Sequence, residues 1–405
     1  MQENQKKEKY ISSTALMPQE ELLETGLKKK KLSIGVPRES DENEKRVPLT
    51  PEAVNILVEA GNQVYVQEGS GKGANFSDKD YSENGAQITK TGEEVYNCDL
   101  IIKVAPFSAK EVEKLRDRTT VLSFLKVLKQ TKSTLTGMMQ KNITAVAFER
   151  IRDRNDEFPV VESMSEISGV TAVLIASEYL SNKYGGKGVM LGGISGVTPT
   201  EVIIIGAGTA GEYAARAALG LGAEVKIFDN SVHKLRKFQS LLGQRLQTSV
   251  YHPQVLHKAL KSADVLIGAI EIEDLRPWYH ITEDMVRKMK KGSFLIDLSI
   301  DRGGCIETME CRDLKDPVYQ KHGVIHFAAW NLPSRVARTA SIALSNVFTP
   351  LIQEMADQGG LDMLLKSNSG LTNGVYVYKG ILTNETLGQK FNLLSKDINL
   401  LLAAF

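Results

Sequence analysis

Three glycines with a fixed spacing, Gly206, Gly208 and Gly211, stand between the β-branched run EVIII and an alanine-rich stretch. In such a G-x-G-x-x-G pattern the first glycine permits a tight turn, the second lets the backbone approach a pyrophosphate, and the third lets a helix pack against the strand. The spacing alone is weak evidence. Because a strand pattern precedes it and a helix pattern follows it, we predict a site for the phosphates of a dinucleotide at the start of that helix.

Asp229 ends the next predicted strand, in the segment GAEVKIFD, 23 residues after Gly206 (229 − 206). An acidic side chain at this point can accept hydrogen bonds from both ribose hydroxyls and would repel a 2′-phosphate. The two features together therefore predict NAD rather than NADP as the cofactor. The alternative is a structural glycine turn followed by an incidental aspartate.

The residues that face the nicotinamide should follow other strands, since ligands of open parallel sheets lie beyond the carboxyl ends of the strands. In the first half of the chain these positions carry the cations Arg46, Lys103 and Lys126, and in the second half they carry Asp301 and Asn331. Cations on one wall and a carboxylate on the other would suit a substrate with a carboxylate and a reacting amine.

Two of these cations also have simpler interpretations. Lys103 lies between Ile102 and Val104 in an apolar strand, where burial is costly without an anionic partner, but its side chain could instead reach water at a sheet edge. Arg46 follows the acidic stretch ESDENEK and could pair with those acids. Only its position makes Arg46 a candidate for the site.

Strand and helix patterns alternate along the chain and would position these residues. The segment LSIGV at 32–36 predicts a buried strand, TPEAVNILVEAG at 50–61 predicts a helix capped by Thr50, and QVYVQ predicts a second strand. The alternation continues through both halves, in apolar runs that would be buried on both faces. We therefore predict an α/β protein with two Rossmann-like, doubly wound, mostly parallel sheets and a cleft between them.

Long helices should join the two domains. The stretch at 164–184 predicts a connecting helix, residues 185–196 predict a flexible crossing loop, and RTASIALSNVFTPLIQEMADQGG predicts a second connecting helix with a kink at Pro350. The predicted divisions are an N-terminal polar arm at 1–31, a substrate domain at 32–158 and 339–405, and a cofactor domain at 159–338.

Composition limits the other functions that this chain could have. The 50 basic and 49 acidic residues leave a formal charge of +1, which argues against nucleic acid or an anionic membrane as a partner. Three cysteines without a C-x-x-C pair argue against disulfides and a thiolate site, so we expect no metal. A polar first segment and the lack of long apolar runs predict a cytoplasmic protein. The lysine run at 28–31 is interpreted as a solvated arm, with nucleic-acid or membrane binding as the alternative.

Several longer motifs are typical of one family. They are IGVPRE, EKRVPLTPEAV, GSGKGANFSDKDY, MSEISG, GVMLGGISGV, GAGTAG, SIDRGGC and NLPSRVARTAS. Together they resemble the alanine dehydrogenase and pyridine nucleotide transhydrogenase α-subunit family, over essentially the whole chain from Leu32 onward. The likeness is closer to alanine dehydrogenases. Transhydrogenase α subunits usually carry their own nucleotide-site sequences in the connector and often a membrane-spanning tail, and neither pattern is recognised in this sequence. The resemblance implies a homo-oligomer, namely a hexamer, that acts on a small amino acid.

The resemblance also implies roles for single residues. It implies that Arg46 binds the substrate carboxylate, that Lys103 holds the substrate and polarises its reacting centre, and that Asp301 takes part in proton transfer and water activation. In the family, residues at the positions of Thr209 and Ala210 contact the pyrophosphate. The cofactor contacts that we expect are Ser165, Gly206, Gly208, Thr209, Ala210, Gly211, Asp229, Ile270 and Asn331.

The chain departs from the family pattern at two places. Alanine dehydrogenases present a histidine as general acid or base where this chain has Lys126, and the loop after Ile270 is the acidic and aromatic EIEDLRPWYH instead of a segment of proline, glycine and alanine. No histidine of the first half could take over, because all six lie in the second half: His233, His252, His257, His280, His322 and His326. Lys126 is interpreted either as a base with a lowered pKa or as an anchor for a second substrate carboxylate.

Four functions follow from these observations. The first is NAD-dependent, reversible oxidative deamination of L-alanine to pyruvate and ammonia, and the second is the same chemistry on another small amino or imino acid. The third is an NAD-binding protein that has lost catalysis, which the missing histidine suggests. The fourth is a transhydrogenase-type NAD-binding subunit.

Overall fold

Two sheets flanked by helices form the protein, which a computed structural model describes over residues 29–125, 130–243, 246–270 and 280–404. The first sheet has the order β15-β14-β6-β5-β4-β1-β2-β3, in which β1 to β6 are parallel. Its strands are β1 (Ser33–Val36), β2 (Gln63–Gln67), β3 (Gln87–Thr89), β4 (Leu100–Ile102), β5 (Thr120–Ser123), β6 (Thr144–Ala147), β14 (Val375–Tyr378) and β15 (Ile381–Leu382). The last two strands are antiparallel additions from the C-terminal part of the chain.

Short helices cover this sheet. The first of them begins as predicted, with Pro51 in its first turn and the Thr50 hydroxyl accepting the N–H of Ala53 at 3.4 Å. The helices of this half are α1 (Pro51–Glu59), α2 (Asp78–Glu83), α3 (Glu93–Tyr96), α4 (Ala109–Lys114), α5 (Lys132–Gln140), α12 (Leu361–Ser367), α13 (Ser369–Thr372), α14 (Glu385–Phe391) and α15 (Ile398–Ala404).

The second sheet has the order β12-β13-β11-β10-β7-β8-β9 and is parallel except for β12. Its strands are β7 (Glu201–Ile205), β8 (Glu224–Phe228), β9 (Gln247–Ser249), β10 (Val265–Gly268), β11 (Phe294–Asp297), β12 (Val318–Lys321) and β13 (Val324–Phe327). Its helices are α7 (Thr209–Gly220), α8 (Val232–Leu242), α9 (Pro253–Ser262) and α10 (Glu283–Arg287). The predicted α/β class with two mostly parallel sheets is confirmed, whereas the antiparallel strands β12, β14 and β15 were not predicted from the sequence.

Two helices of 21 residues each connect the halves, α6 (Pro159–Tyr179) and α11 (Ala337–Asp357). The first begins earlier than predicted, because Pro159 is well suited to a first helical turn. Pro350 lies inside α11 without ending it. By length and composition alone α6 could cross a membrane, but many of its residues, such as Ala172 and Val173, lie in the hydrophobic core beneath the second sheet. Residues 185–196 contain neither a helix nor a strand.

Candidate active site

A cavity of about 810 Å³ lies between the two halves, at the carboxyl ends of strands from both sheets. The first half contributes Arg46 and Phe124, and α6 contributes Ser165 and Ser168. Ten predicted site residues line it: Arg46, Ser165, Gly206, Gly208, Thr209, Ala210, Asp229, Ile270, Asp301 and Asn331. The structure therefore places the predicted nucleotide motif, Arg46 and Asp301 around one space.

The three glycines of the motif have three different environments. Gly206 has a φ of +111°, and a Cβ there would collide with the carbonyl oxygen of Ala269. A Cβ on Gly211 would collide with the carbonyl oxygen of Gly206, so this glycine permits the close approach of helix and strand. A Cβ on Gly208 would meet nothing within 4 Å, and Gly208 lines the cavity. The open side of Gly208 is thus where a pyrophosphate could approach the backbone.

Helix α7 points its amino end at this space. Gly208 precedes the helix and has no side chain to cap it, so the N–H groups of the first turn can serve an anion in the cavity. Gly169 of α6 faces the carbonyl oxygen of Ala210 so closely that a Cβ would collide with it. This contact between α6 and α7 places Ser165 beside the nucleotide motif.

Asp229 is held at the turn by two backbone groups. Its Oδ2 accepts the N–H of Ala207 at 2.8 Å, and its Oδ1 accepts the N–H of Ser231 at 2.7 Å. A carboxylate oxygen can accept more than one hydrogen bond, so both oxygens can still bind ribose hydroxyls. Lys234, which the sequence analysis did not select, lines the cavity in the same region.

Arg46 forms a buried ion pair with Glu44. Its Nε and Nη2 donate to the two carboxylate oxygens at 2.7 and 2.6 Å, and the side chains are 5% and 3% exposed. The Nη1 group points instead to the sulfur of Met164 at 3.3 Å, and the guanidinium lies 5.7 Å from the ring centre of Phe124. Arg46 therefore pairs with an acid of the preceding stretch and also lines the cavity.

Glu44 also receives donors from the second half of the chain. The amide of Asn331 donates to its Oε2 at 3.1 Å, and the hydroxyl of Ser334 lies 3.4 Å from its Oε1. Burial would raise the pKa of Glu44, but the charge and hydrogen bonds of Arg46 outweigh burial and hold that pKa below its usual range. Glu44 is therefore an anion at neutral pH, and sequence reasoning missed it.

Lys103 is fully buried and does not line the cavity. Its ammonium lies 2.6 Å from Glu111 and 3.5 Å from Glu39. Burial works against its charge, but these carboxylates outweigh burial and raise the pKa of Lys103. The expected anionic partners thus exist, while the structure does not bring the ammonium to the cavity surface. Gly211 is likewise absent from the lining, because its role is in packing.

Asp301 lies on a turn that a second aspartate organises. Asp297, at the end of β11, accepts backbone N–H groups from Ser299 at 2.9 Å, Cys305 at 2.6 Å and Ile306 at 3.2 Å. The turn Ile300–Arg302 between these donors carries Asp301 into the cavity. Burial raises the pKa of Asp297, and the backbone donors oppose that effect.

Two predicted features lie outside the described residues, namely Lys126 and most of the loop after Ile270, at 271–279. The residue that ends this loop, His280, does line the cavity, and its ring lies edge-on to that of Tyr251 at 4.8 Å. Burial lowers the pKa of His280, so it is largely neutral at pH 7. Because Tyr251 and His280 belong to the second half, they lie on the same wall as Asp229. Within the described ranges, no cluster of histidine, cysteine and acidic residues could hold a metal ion.

Comparisons with known proteins agree with this arrangement. Residues 35–168 match the family described as alanine dehydrogenase/PNT, N-terminal domain, and residues 172–385 match the corresponding C-terminal domain. The alanine dehydrogenase of Staphylococcus saprophyticus is 36% identical over 366 residues, which are 90% of this chain and 98% of the relative.

Solved structures give the same result. An L-alanine dehydrogenase superposes with a TM-score of 0.84 at 33% identity, over 89% of this chain and 99% of that protein. A transhydrogenase from Sinorhizobium meliloti superposes with a TM-score of 0.74 at 24% identity, over 87% of this chain and 99% of that protein, which shows a shared fold. The chain therefore belongs to the alanine dehydrogenase/PNT family.

Proposed function

We propose that this protein catalyses the reversible reaction of L-alanine, NAD and water to pyruvate, ammonium, NADH and a proton. The observation that carries the proposal is the single cavity in which the nucleotide motif, Asp301 and Arg46 meet. Two of the proteins named above are alanine dehydrogenases, and this chain aligns with 98% and 99% of their lengths, which supports the same reaction class. We also propose that residues 32–158 and 339–405 form the substrate domain, with residues 159–338 carrying the cofactor.

The residues of the cavity fit NAD. The open side of Gly208 and the amino end of α7 would hold the pyrophosphate, and Asp229 would accept the ribose hydroxyls. Ser165, Ile270 and Asn331 would complete the contacts. When bound there, the nicotinamide would supply the oxidant, as the acceptor of the hydride that the substrate α-carbon loses.

The protein's own contribution would be placement and proton movement. Arg46 would bind the substrate carboxylate through the edge that Glu44 leaves open. Asp301 would take a proton from the water that adds to the oxidised carbon. For Lys103 to contact the substrate, its ammonium would have to leave Glu39 or Glu111 and bind the substrate instead. Lys126 would be either the general base or an anchor for a second carboxylate.

We further propose that the protein acts in the cytoplasm as a homo-oligomer, with six copies as the family resemblance implies. The charge of +1 supports small-molecule rather than nucleic-acid or membrane partners. Sedimentation of the purified protein measures the number of copies.

The test is a panel of amino acids, offered with NAD and followed by NADH absorbance. We expect turnover of L-alanine, and little turnover with NADP in place of NAD. Better turnover of another small amino or imino acid would mean that this acid, and not L-alanine, is the substrate of the same reaction class. NADH binding without any turnover would instead favour a catalytically silent homologue or a transhydrogenase-type subunit.

A further inference from the structure

Glu44 determines which edge of Arg46 faces the cavity. The guanidinium Nε and Nη2 groups donate to the two carboxylate oxygens of Glu44, at 2.7 and 2.6 Å. The Nη1 group is left beside Met164 and the ring of Phe124, and both of those residues line the cavity. Because Glu44 does not line the cavity, it would act on a ligand through the cavity residues that it contacts, Arg46 among them.

Glu44 is itself held from the opposite wall. Asn331 donates to Oε2 at 3.1 Å, and Asn331 lines the cavity beside the predicted cofactor contacts. Ser334 lies 3.4 Å from Oε1 and also accepts the backbone N–H of Lys45 at 2.6 Å. A carboxylate that is only 3% exposed depends on such donors for the solvation that water would otherwise supply.

We propose that Glu44 is a positioning residue, which orients Arg46 toward the substrate carboxylate and links that orientation to Asn331 on the cofactor wall. This inference rests on the proposed function, because it takes a carboxylate substrate as the ligand of Arg46. The link is a continuous chain of hydrogen bonds from Asn331 through Glu44 to Arg46. Replacing Glu44 or Asn331 should therefore weaken carboxylate binding while Arg46 stays in place.

The first test is Glu44→Gln. Glutamine keeps the size of the side chain but has one accepting oxygen, and its amide group cannot accept from the guanidinium. We expect the KM for pyruvate to rise about 10- to 100-fold, the loss expected for one hydrogen bond to a charged group, while kcat and the Kd for NADH change much less.

The second test is Asn331→Gly, which leaves the ion pair in place. Glycine tolerates the φ of 62° at this position, so the change removes the amide donor without backbone strain. At saturating NADH we expect a higher KM for pyruvate, and we expect the double variant to be no worse than Glu44→Gln alone. If Glu44→Gln does not fold, Asn331→Gly alone decides the question.

The matched control is Asp264→Asn, which removes another largely buried carboxylate. Asp264 pairs with Lys187 at 2.6 Å and Lys290 at 3.0 Å and does not line the cavity. We expect its KM for pyruvate to equal that of the wild type. An equal rise in the KM of Asp264→Asn would mean that a general loss of packing, not a changed orientation of Arg46, raised the KM.

Titration calorimetry of pyruvate with NADH-bound protein separates the two proposals. A wild type that binds pyruvate but turns over nothing would overturn the proposed function and leave the role of Glu44 standing. Wild-type pyruvate affinity in both Glu44→Gln and Asn331→Gly would overturn the role of Glu44 alone. A wild type that binds no pyruvate would overturn both.

Discussion

The ammonium of Lys103 lies 2.6 Å from a carboxylate oxygen of Glu111, and the two side chains are 0% and 8% exposed. The same carboxylate accepts the backbone N–H of Ser108 at 2.8 Å and its hydroxyl at 2.7 Å, which completes the capping box of α4. One glutamate therefore caps a helix and neutralises a buried lysine.

Replacing this glutamate should cost stability. In Glu111→Gln the lysine keeps its charge but loses its nearest anion, and breaking a buried pair in this way typically costs about 3–5 kcal/mol in the free energy of unfolding. Urea unfolding followed by circular dichroism measures the loss. The matched control is Glu113→Gln on the same helix, whose side chain is exposed and whose change should stay within about 0.5 kcal/mol. Equal losses in both variants would contradict a structural role for the Lys103–Glu111 pair.

The neighbouring Glu39 should make stability depend on pH. Burial raises the pKa of Glu39 to about 7, with the charge of Lys103 opposing and that of Glu44 adding to the shift. Because this folded-state pKa lies above the unfolded value, Glu39 contributes stability that is full below the unfolded pKa and is lost as the pH rises through about 7.

A raised pKa means that Glu39 takes up a proton when the protein folds, and Glu39→Gln removes the group that takes it up. Relative to this variant, the wild type should lose about 2 kcal/mol in the free energy of unfolding between about pH 5 and about pH 8. Urea unfolding across this range, with the exposed Glu113→Gln as the control, gives the difference. Parallel pH profiles for the wild type and Glu39→Gln would show that Glu39 keeps an ordinary pKa.

The glycines of the nucleotide motif should separate folding from cofactor binding. Gly206→Ala should lower the melting temperature, because its φ is positive and its Cβ would collide with Ala269. Gly208→Ala should leave the melting temperature near that of the wild type, since its Cβ meets no protein atom within 4 Å, yet it should raise the Kd for NADH. A Cβ on Gly220, at the far end of α7, also meets no atom within 4 Å. Gly220→Ala is therefore the control for both the melting temperature and the Kd for NADH. If Gly208→Ala binds NADH normally, the pyrophosphate does not lie where the motif predicts.

Features that follow local residue patterns were predictable from the sequence. The glycine motif and the helix cap at Thr50 rest on neighbours in the chain, so residue type and spacing were enough to predict them. The parallel strands pair residues far apart in the chain, such as Ser33 with Gln63, but the alternation of buried strand patterns with helix patterns was enough to predict them. Lys103 was expected at the cavity because it follows a strand in the first half. Its ammonium lies instead against Glu39 and Glu111, which belong to two different segments.

The contacts across the cleft were beyond local patterns. Glu44 and Asn331 are separated by most of the chain, and only the fold brings the amide of one to the carboxylate of the other. The signal that could have found Glu44 is its position two residues before Arg46 in an acidic stretch, which the sequence analysis considered only as a reason to doubt Arg46. Edge strand β12 was missed because a short, partly exposed strand has little apolar pattern.

Asp229 should determine the choice between NAD and NADP. Its carboxylate lines the cavity and would meet a 2′-phosphate with like charge, whereas Lys234 offers a cation in the same region. Replacing Asp229 by serine and Asn230 by arginine should therefore narrow the preference for NAD, measured as the ratio of kcat/KM for the two cofactors. Replacement of Asn230 alone is the control, since it leaves the carboxylate in place. A wild type that uses both cofactors equally would contradict this reading of Asp229.

The central claim is that the protein moves a hydride from the α-carbon of L-alanine to NAD. The most direct measurement uses L-alanine carrying deuterium at that carbon, with mass spectrometry of the NADH and assays of pyruvate and ammonium. We predict deuterium in the NADH, with one pyruvate and one ammonium formed for each NADH. NADH without deuterium, or no NADH from L-alanine at all, would contradict the claim.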